Sequence, residues 1–232
     1  MGLFDFIFPK YCVSCKKIGS YLCENCFSYL SFDTGSFCPV CRRPSFNNLT
    51  HPVCKNRYAI DGAFSGIVYN KTAKRLIHRF KYGPYVSDLR GILVDFLFES
   101  IIQNETFNRI LELDSSAILI PIPLHASRFR KRGYNQAEIL AQELGAKLGL
   151  SELDALERAK NTHSQAGLKE KERITNMKGA FRLKKYAAKI VHGKTAFLVD
   201  DILTTGSTLT EAANVLKRGG AKTVFGLTLA RD

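Results

Sequence analysis

The sequence predicts an α/β protein, a mostly parallel sheet flanked by helices, with a small cysteine-rich module ahead of it. Three observations carry this reading. All seven cysteines fall before residue 55, which sets the first quarter of the chain apart. Beyond it, short unbroken apolar runs alternate with amphipathic stretches, the pattern of strands buried on both faces and joined by helices. One such run, Ala196-Phe197-Leu198-Val199, leads into Asp200-Asp201-Ile202-Leu203-Thr204-Thr205-Gly206-Ser207-Thr208 and then a helical-looking segment over 209–218. Strand, loop and helix in that order form the usual ligand site of α/β folds, at the carboxyl end of a strand. With 232 residues and 45% apolar content, the chain is long enough for one large domain and a module, which we divide at 1–58 and 59–232.

In the module, Cys12-x2-Cys15-x7-Cys23-x2-Cys26 sets two thiol pairs on two knuckles, the arrangement tetrahedral Zn2+ requires in a segment too short for its own core. The odd cysteine count argues against a disulfide framework. The second half is less regular. Cys38-x2-Cys41 is followed by Cys54-Lys55-Asn56-Arg57, where a fourth pair would end in cysteine. With His51, the thiols of Cys38, Cys41 and Cys54 could close a second zinc site; the competing reading leaves this half metal-free, so one or two zinc ions are expected. Tyr11, Arg42, Arg43, Lys55 and Arg57 interleave with the knuckles, either to touch nucleic-acid backbone or as part of a purely structural module.

The first strand of the main domain is expected within 59–69, through Gly62 and Gly66. Leu76, Ile77 and Phe80 then recur at helical spacing amid Lys74, Arg75, Arg79 and Lys81, a basic amphipathic helix, and 89–102 reads as a second helix. The segment 117–125 is a buried strand that Pro121 and Pro123 must end. After His125 comes the basic loop Arg128-Phe129-Arg130-Lys131-Arg132-Gly133-Tyr134-Asn135-Gln136, with Asn135 able to cap a helix over 137–148. Positive charge crowded ahead of a helix N-terminus suits an anion, either pyrophosphate or nucleic-acid backbone. The stretch 158–173 is polar, 179–194 reads as a hairpin or extended segment, and 223–230 as the last strand.

Net charge +13, from 34 basic and 21 acidic residues, points to an anionic partner without choosing between nucleic acid and a phosphate-rich ligand. No run of about 18 apolar residues exists, so no transmembrane helix is expected. The start Met1-Gly2-Leu3-Phe4-Asp5-Phe6 lacks a basic n-region, and position 6 lacks the Ser or Thr of a myristoylation signal, so a cytoplasmic location is expected. Gly193-Lys194-Thr195 is not a P-loop, because Ala188 stands where the first glycine is needed and the strand follows the lysine.

Chemistry concentrates at 200–208. Gly206 lets backbone approach a ligand, helix-start amides point outward, and the hydroxyls of Thr204, Thr205, Ser207 and Thr208 add donors, so the loop suits a phosphate. Asp200 and Asp201 suit sugar hydroxyls and a hard cation such as Mg2+. This stretch resembles the phosphoribosyl pyrophosphate (PRPP) motif of type I phosphoribosyltransferases. Taken with Lys81-Tyr82-Gly83, Pro121-x-Pro123-Leu124-His125, Arg132-Gly133-Tyr134-Asn135-Gln136 and Arg158-x3-Thr162-x2-Gln165-x2-Leu168, it resembles the ComF/GntX family, whose members begin with a zinc ribbon.

The resemblance implies a type I phosphoribosyltransferase-like fold that binds PRPP and Mg2+. Asp200 and Asp201 would hold the ribose hydroxyls and the metal, and Thr204 to Thr208 the 5′-phosphate. His125, Arg128, Arg130, Arg132, Asn135 and Gln136 would meet pyrophosphate or DNA backbone, and the segment 158–173 would form a hood over the substrate. It further implies handling of single-stranded DNA in natural transformation, with a competence-machinery partner such as a helicase. The alternative is a genuine phosphoribosyltransferase acting on an unidentified base, without direct DNA binding. No residue stands out as general base.

Overall fold

The computed structural model describes residues 9–83, 87–160 and 170–232. Its centre is a five-stranded, all-parallel sheet in the order β1-β7-β6-β2-β3, where β1 is Gly62–Val68, β2 Ile118–Pro121, β3 Ser151–Glu152, β6 Thr195–Leu203 and β7 Thr223–Arg231. The two remaining short strands, β4 (Leu156–Arg158) and β5 (Phe181–Leu183), pair antiparallel beside it. A parallel sheet needs crossover helices on both faces, which explains why β6 and β7 read as unbroken apolar runs.

One face is covered by α1 (Lys71–Tyr82), α2 (Ser87–Ile102), α3 (Glu105–Leu113) and α5 (Gln136–Leu148). Phe64, Phe107, Phe197 and Phe225 meet at its centre, with ring centroids 5.3 to 6.2 Å apart. The other face is covered by α6 (Glu170–Met177), α7 (Ala187–Val191) and α8 (Ser207–Arg218), through Met177, Leu198, Val191, Leu209 and Leu216. The helix starts are specified locally. Asn70 accepts from the amides of Thr72 and Ala73, Asn104 from that of Phe107 and Asn135 from that of Ala137.

Three expectations change. Residues 126–132 form a helix, α4 (Ala126–Arg132), rather than an open basic loop; His125 caps it and Gly133, at φ +83°, ends it. The segment 179–194 contains β5 and α7. Strand β6 does not stop before the acids: Asp200 pairs with Thr228 and Leu203 with Arg231, so both carboxylates sit on the strand itself.

The cysteine-rich module is packed into this core rather than hung from it. Phe37 joins the α8 face and Leu30 the α1 face, while Arg231 donates to the carbonyls of Thr34 and Gly35 and lies 3.7 Å over the Phe37 ring.

At the opposite end of β6, Asp114 closes the sheet. Its carboxylate accepts from the Thr195 amide (2.9 Å) and from the amide and hydroxyl of Ser116 (3.1 and 2.8 Å). Burial alone would raise its pKa, but these bonds outweigh it and hold the group at about 2. A carboxyl depressed in the folded state stabilises above its unfolded pKa, near 4, and that contribution is lost as pH falls through about 2. Asp114→Ala is therefore expected to cost about 1–3 kcal/mol in urea melts at neutral pH. The gap from the native chain should shrink as the melts are repeated below about pH 4.

Candidate functional site

Successive residues of a strand face opposite sides of the sheet. On β6, Leu198 lies in the α8-side core and Val199 in the α1-side core, and the two acids continue this alternation. Asp201, buried, turns to the α1/α5 side. There its Oδ2 accepts from Lys81 Nζ at 2.8 Å and from Gln136 Nε2 at 2.7 Å. Asp200 turns the other way, and its Oδ1 accepts from the Asp201 amide at 2.8 Å. Burial, and then the Asp201 charge beside it, push the Asp200 carboxyl up to about 7, against the pull of Lys81 and Arg158. Two adjacent acids of one strand thus meet different surroundings: Asp201 is paired with Lys81 and Gln136, and Asp200 has its pKa raised to about 7.

The loop after them makes a tight bend into α8. Gly206 adopts φ +74°, and a Cβ there would lie 2.4 Å from the carbonyl oxygen of Pro39, in the Cys38-x2-Cys41 knuckle of the second cysteine cluster. Gly206 is also the N-cap and supplies no side chain to the helix-start amides, so Ser207 is the first residue of α8 and not its cap. Thr205 and Ser207 are buried and hydrogen-bonded to each other at 3.0 Å; Thr204 and Thr208 are half-buried. The Ser207 amide donates to Thr205 Oγ1 at 3.4 Å, and the N-cap has no side chain to cover the rest of the helix start, so this twelve-residue helix framed by hydroxyls can hold a phosphate.

Around this loop the structure brings together Gln136 and, on the same face, α1 and α4. Tyr134 donates to the carbonyl of Phe80, and the Arg132 guanidinium lies 4.8 Å over the Tyr82 ring. Arg158 is close enough to Arg128 and Asp200 to feel both. Burial first, then Arg128, lower its pKa to about 10, while Asp200 raises it. Arg130 is exposed. His125 and Asn135 are engaged elsewhere: His125 Nδ1 accepts from the Ser127 amide (3.3 Å), and Asn135 Nδ2 donates to Ile122 O (3.1 Å).

Lys81 and Arg158 are the charged neighbours of the two acids, a role that the basic amphipathic helix read over Lys74 to Lys81 does not give. The place of Lys81 in Lys81-Tyr82-Gly83, at the end of an amphipathic helix, was the available signal. Of the segment expected as a hood, 161–169, with Thr162, His163, Gln165, Leu168 and Lys169, lies outside the described residues.

The cysteines form two four-ligand clusters, Cys12, Cys15, Cys23 and Cys26, and Cys38, Cys41, His51 and Cys54, with the ligand atoms of each within 4.8 Å of one another. Tetrahedral Zn2+ with bonds of about 2.3 Å sets its sulfurs about 3.8 Å apart; Cys15 and Cys23 stand at 3.6 Å. In the first cluster, burial opposes ionisation, yet the amides of Cys15, Cys23 and Ser14 draw the Cys12 thiol down to about 6. Burial and the neighbouring thiols push Cys26 up to about 12, so full ionisation calls for a cation. In the second cluster, His51 Nε2 donates to Pro44 O at 2.9 Å, which leaves Nδ1, 3.2 Å from Cys41 Sγ, with the lone pair a metal needs.

Comparison with known proteins agrees with this layout. The phosphoribosyl transferase domain family matches residues 130–231 and the double zinc ribbon domain family residues 3–56. Competence protein ComFC of Bacillus subtilis is 32% identical over 222 residues, 91% of this chain and 84% of that protein. Competence protein F of Haemophilus influenzae is 34% identical over 162 residues, 64% and 70% of the two chains. The DNA utilization protein YhgH of Escherichia coli O157:H7 is 29% identical over 225 residues, 93% and 94%.

Elemental analysis of the purified protein should find about two zinc ions per chain, falling to about one in Cys54→Ser. Gly206→Ala forces a left-handed backbone on a residue with a Cβ and drives that Cβ into a carbonyl. Urea melts should show a loss of at least about 1–2 kcal/mol.

Proposed function

This chain belongs to the ComF family of competence and DNA-utilisation proteins, and we propose that it binds PRPP with Mg2+ at the carboxyl end of β6 and handles single-stranded DNA in natural transformation. The observation that carries the first half is the pairing of a titrating carboxylate, Asp200, with an uncapped, hydroxyl-framed helix start one bend away. In this reading the loop from Thr204 to Thr208 takes the 5′-phosphate through α8 amides and side-chain hydroxyls. Asp200 takes ribose hydroxyls, and Lys81 and Gln136 hold the Asp201 side chain in place beside it.

Arg128, Arg130 and Arg132 supply positive charge to pyrophosphate, and Mg2+, when bound, neutralises part of its charge. Bond breaking at C1′ builds positive charge on the sugar and negative charge on the departing pyrophosphate. The residues present favour catalysis by positioning and charge stabilisation rather than by proton transfer. The DNA half is supported by the names of the relatives and by the net charge of +13. The same reading divides the chain into a zinc module over 1–58 and a phosphoribosyltransferase-like domain over 59–232.

The sign of the pH dependence follows from Asp200. Below about pH 7 the half-buried carboxyl keeps its proton and offers no charge to Mg2+ or to sugar hydroxyls; above it, the anion is available. Calorimetric affinity for PRPP with Mg2+ is expected to rise as pH increases through about 7, and Asp200→Ala to weaken binding and flatten that rise. Because the folded chain holds this proton where the unfolded chain has released it, the ligand-free protein should lose stability between about pH 4 and pH 7. Unchanged PRPP heat in the Asp200→Ala/Asp201→Ala variant would overturn the site.

A further inference from the structure

At the end of the sheet opposite the 204–208 bend, the starts of β1, β7 and β6 are rich in basic residues, and Asp114, bonded to the Thr195 amide, is an acid at the same end. Strands β1, β7 and β6 are adjacent and parallel, so the residues leading into them share one edge. Those residues, 51–61, 217–223 and 182–194, contain ten of the 34 Lys and Arg but a single one of the 21 Asp and Glu. That acid, Asp61, is taken up internally by Lys217 at 2.7 Å, by Lys55 at 3.7 Å and by the Val224 amide. Lys184 is likewise paired with Asp154. Arg57, Lys185, Lys189, Arg218 and Lys222 remain exposed, with His192 among them.

Contacts tie the three segments together. The guanidinium groups of Arg218 and Arg57 lie 4.5 and 5.5 Å over the Tyr58 ring. Lys217 Nζ donates to Lys222 O (3.1 Å), the Lys222 amide to Lys194 O (2.9 Å) and the Gly193 amide to Gly220 O (2.9 Å). Tyr186, just before α7, and Ile190, within it, are 56% and 41% exposed.

We propose that this amino edge is a binding surface for the sugar-phosphate backbone of single-stranded nucleic acid, separate from the PRPP site. The inference rests on the nucleic-acid half of the function proposed above and extends it by locating the surface. A single small anion would meet one or two of these cations, whereas a strand crossing three strand starts meets all of them; the exposed aromatic Tyr186 offers a face on which an unpaired base can stack. A membrane is a poorer fit, since α7 has five residues and too little apolar face to lie in a bilayer interface. The nine residues of β6 put about 25 Å between this edge and the acids' end of the strand, so both ligands can be bound at once.

Fluorescence anisotropy with a labelled oligo-dT of about 20 nucleotides, titrated into the zinc-loaded full chain at several salt concentrations, tests this. Arg57→Glu/Arg218→Glu/Lys222→Glu is expected to weaken binding about tenfold or more at low salt and to lower the salt slope by about 2, with PRPP heat unchanged. Lys185→Glu/Lys189→Glu, on exposed positions of the α7 region, gives the same direction independently of any folding defect in the first variant.

Oligonucleotide affinity and slope unchanged in both variants, or lost only in Arg128→Ala/Arg130→Ala/Arg132→Ala, would overturn the surface while leaving DNA handling intact. A native chain that binds anionic phospholipid vesicles but not oligo-dT would overturn the nucleic-acid reading itself.

Discussion

Two carboxylates side by side on a buried strand repel each other and lose hydration, so the fold must either neutralise one or keep a proton on it. Here it does both. Lys81 and Gln136 converge on Asp201, which ties the end of α1 and the first residue of α5 to β6. Asp200, on the opposite face, is left to titrate near neutrality. Tyr134 on the Phe80 carbonyl and Arg132 over Tyr82 reinforce the same junction, so the helix that begins with a basic face ends as a wall of the site. Placing α1 there also fixes where α4, with its arginines, can sit.

The zinc ribbons gain their place from the same end of the sheet. A segment of some fifty residues cannot bury a core of its own, so metal and docking together must offset its chain entropy. Docking runs through the backbone as much as through side chains: Pro39 O meets the Cα side of Gly206, and Arg231 reaches the carbonyls of Thr34 and Gly35 from the end of β7. The knuckle of the second cluster therefore forms one side of the bend that leads into α8.

Much of this was legible in the residues because each signal had a local cause. Apolar runs marked the buried strands, paired cysteines the zinc clusters, and the glycine and hydroxyls of 204–208 the bend. The helix α3 was missed because its pattern is short and its anchor, Phe107, is a single buried ring completing a four-ring cluster. The extent of β6 was missed because polar residues at the end of an apolar run read as loop, whereas ladder pairing with β7 carries the strand through Asp200 to Leu203. The partnership of Lys81 with Asp201 spans 120 positions, and no periodicity encodes a contact of that kind.

Helix α8 connects the two ends of the molecule electrostatically. Its N-terminus lies at the 204–208 bend and its C-terminus at the basic edge, about 18 Å apart along its axis. The helix dipole favours an anion at the first and cations at the second, which already accounts for Lys217 and Arg218 as stabilising residues. It does not account for Lys185, Lys189 or Lys222, which lie off that helix's last turn and would repel their neighbours without an external anion. Self-repulsion concentrated on one edge costs stability at low salt, and a polymer of phosphates is the ligand class whose charge spacing offsets it.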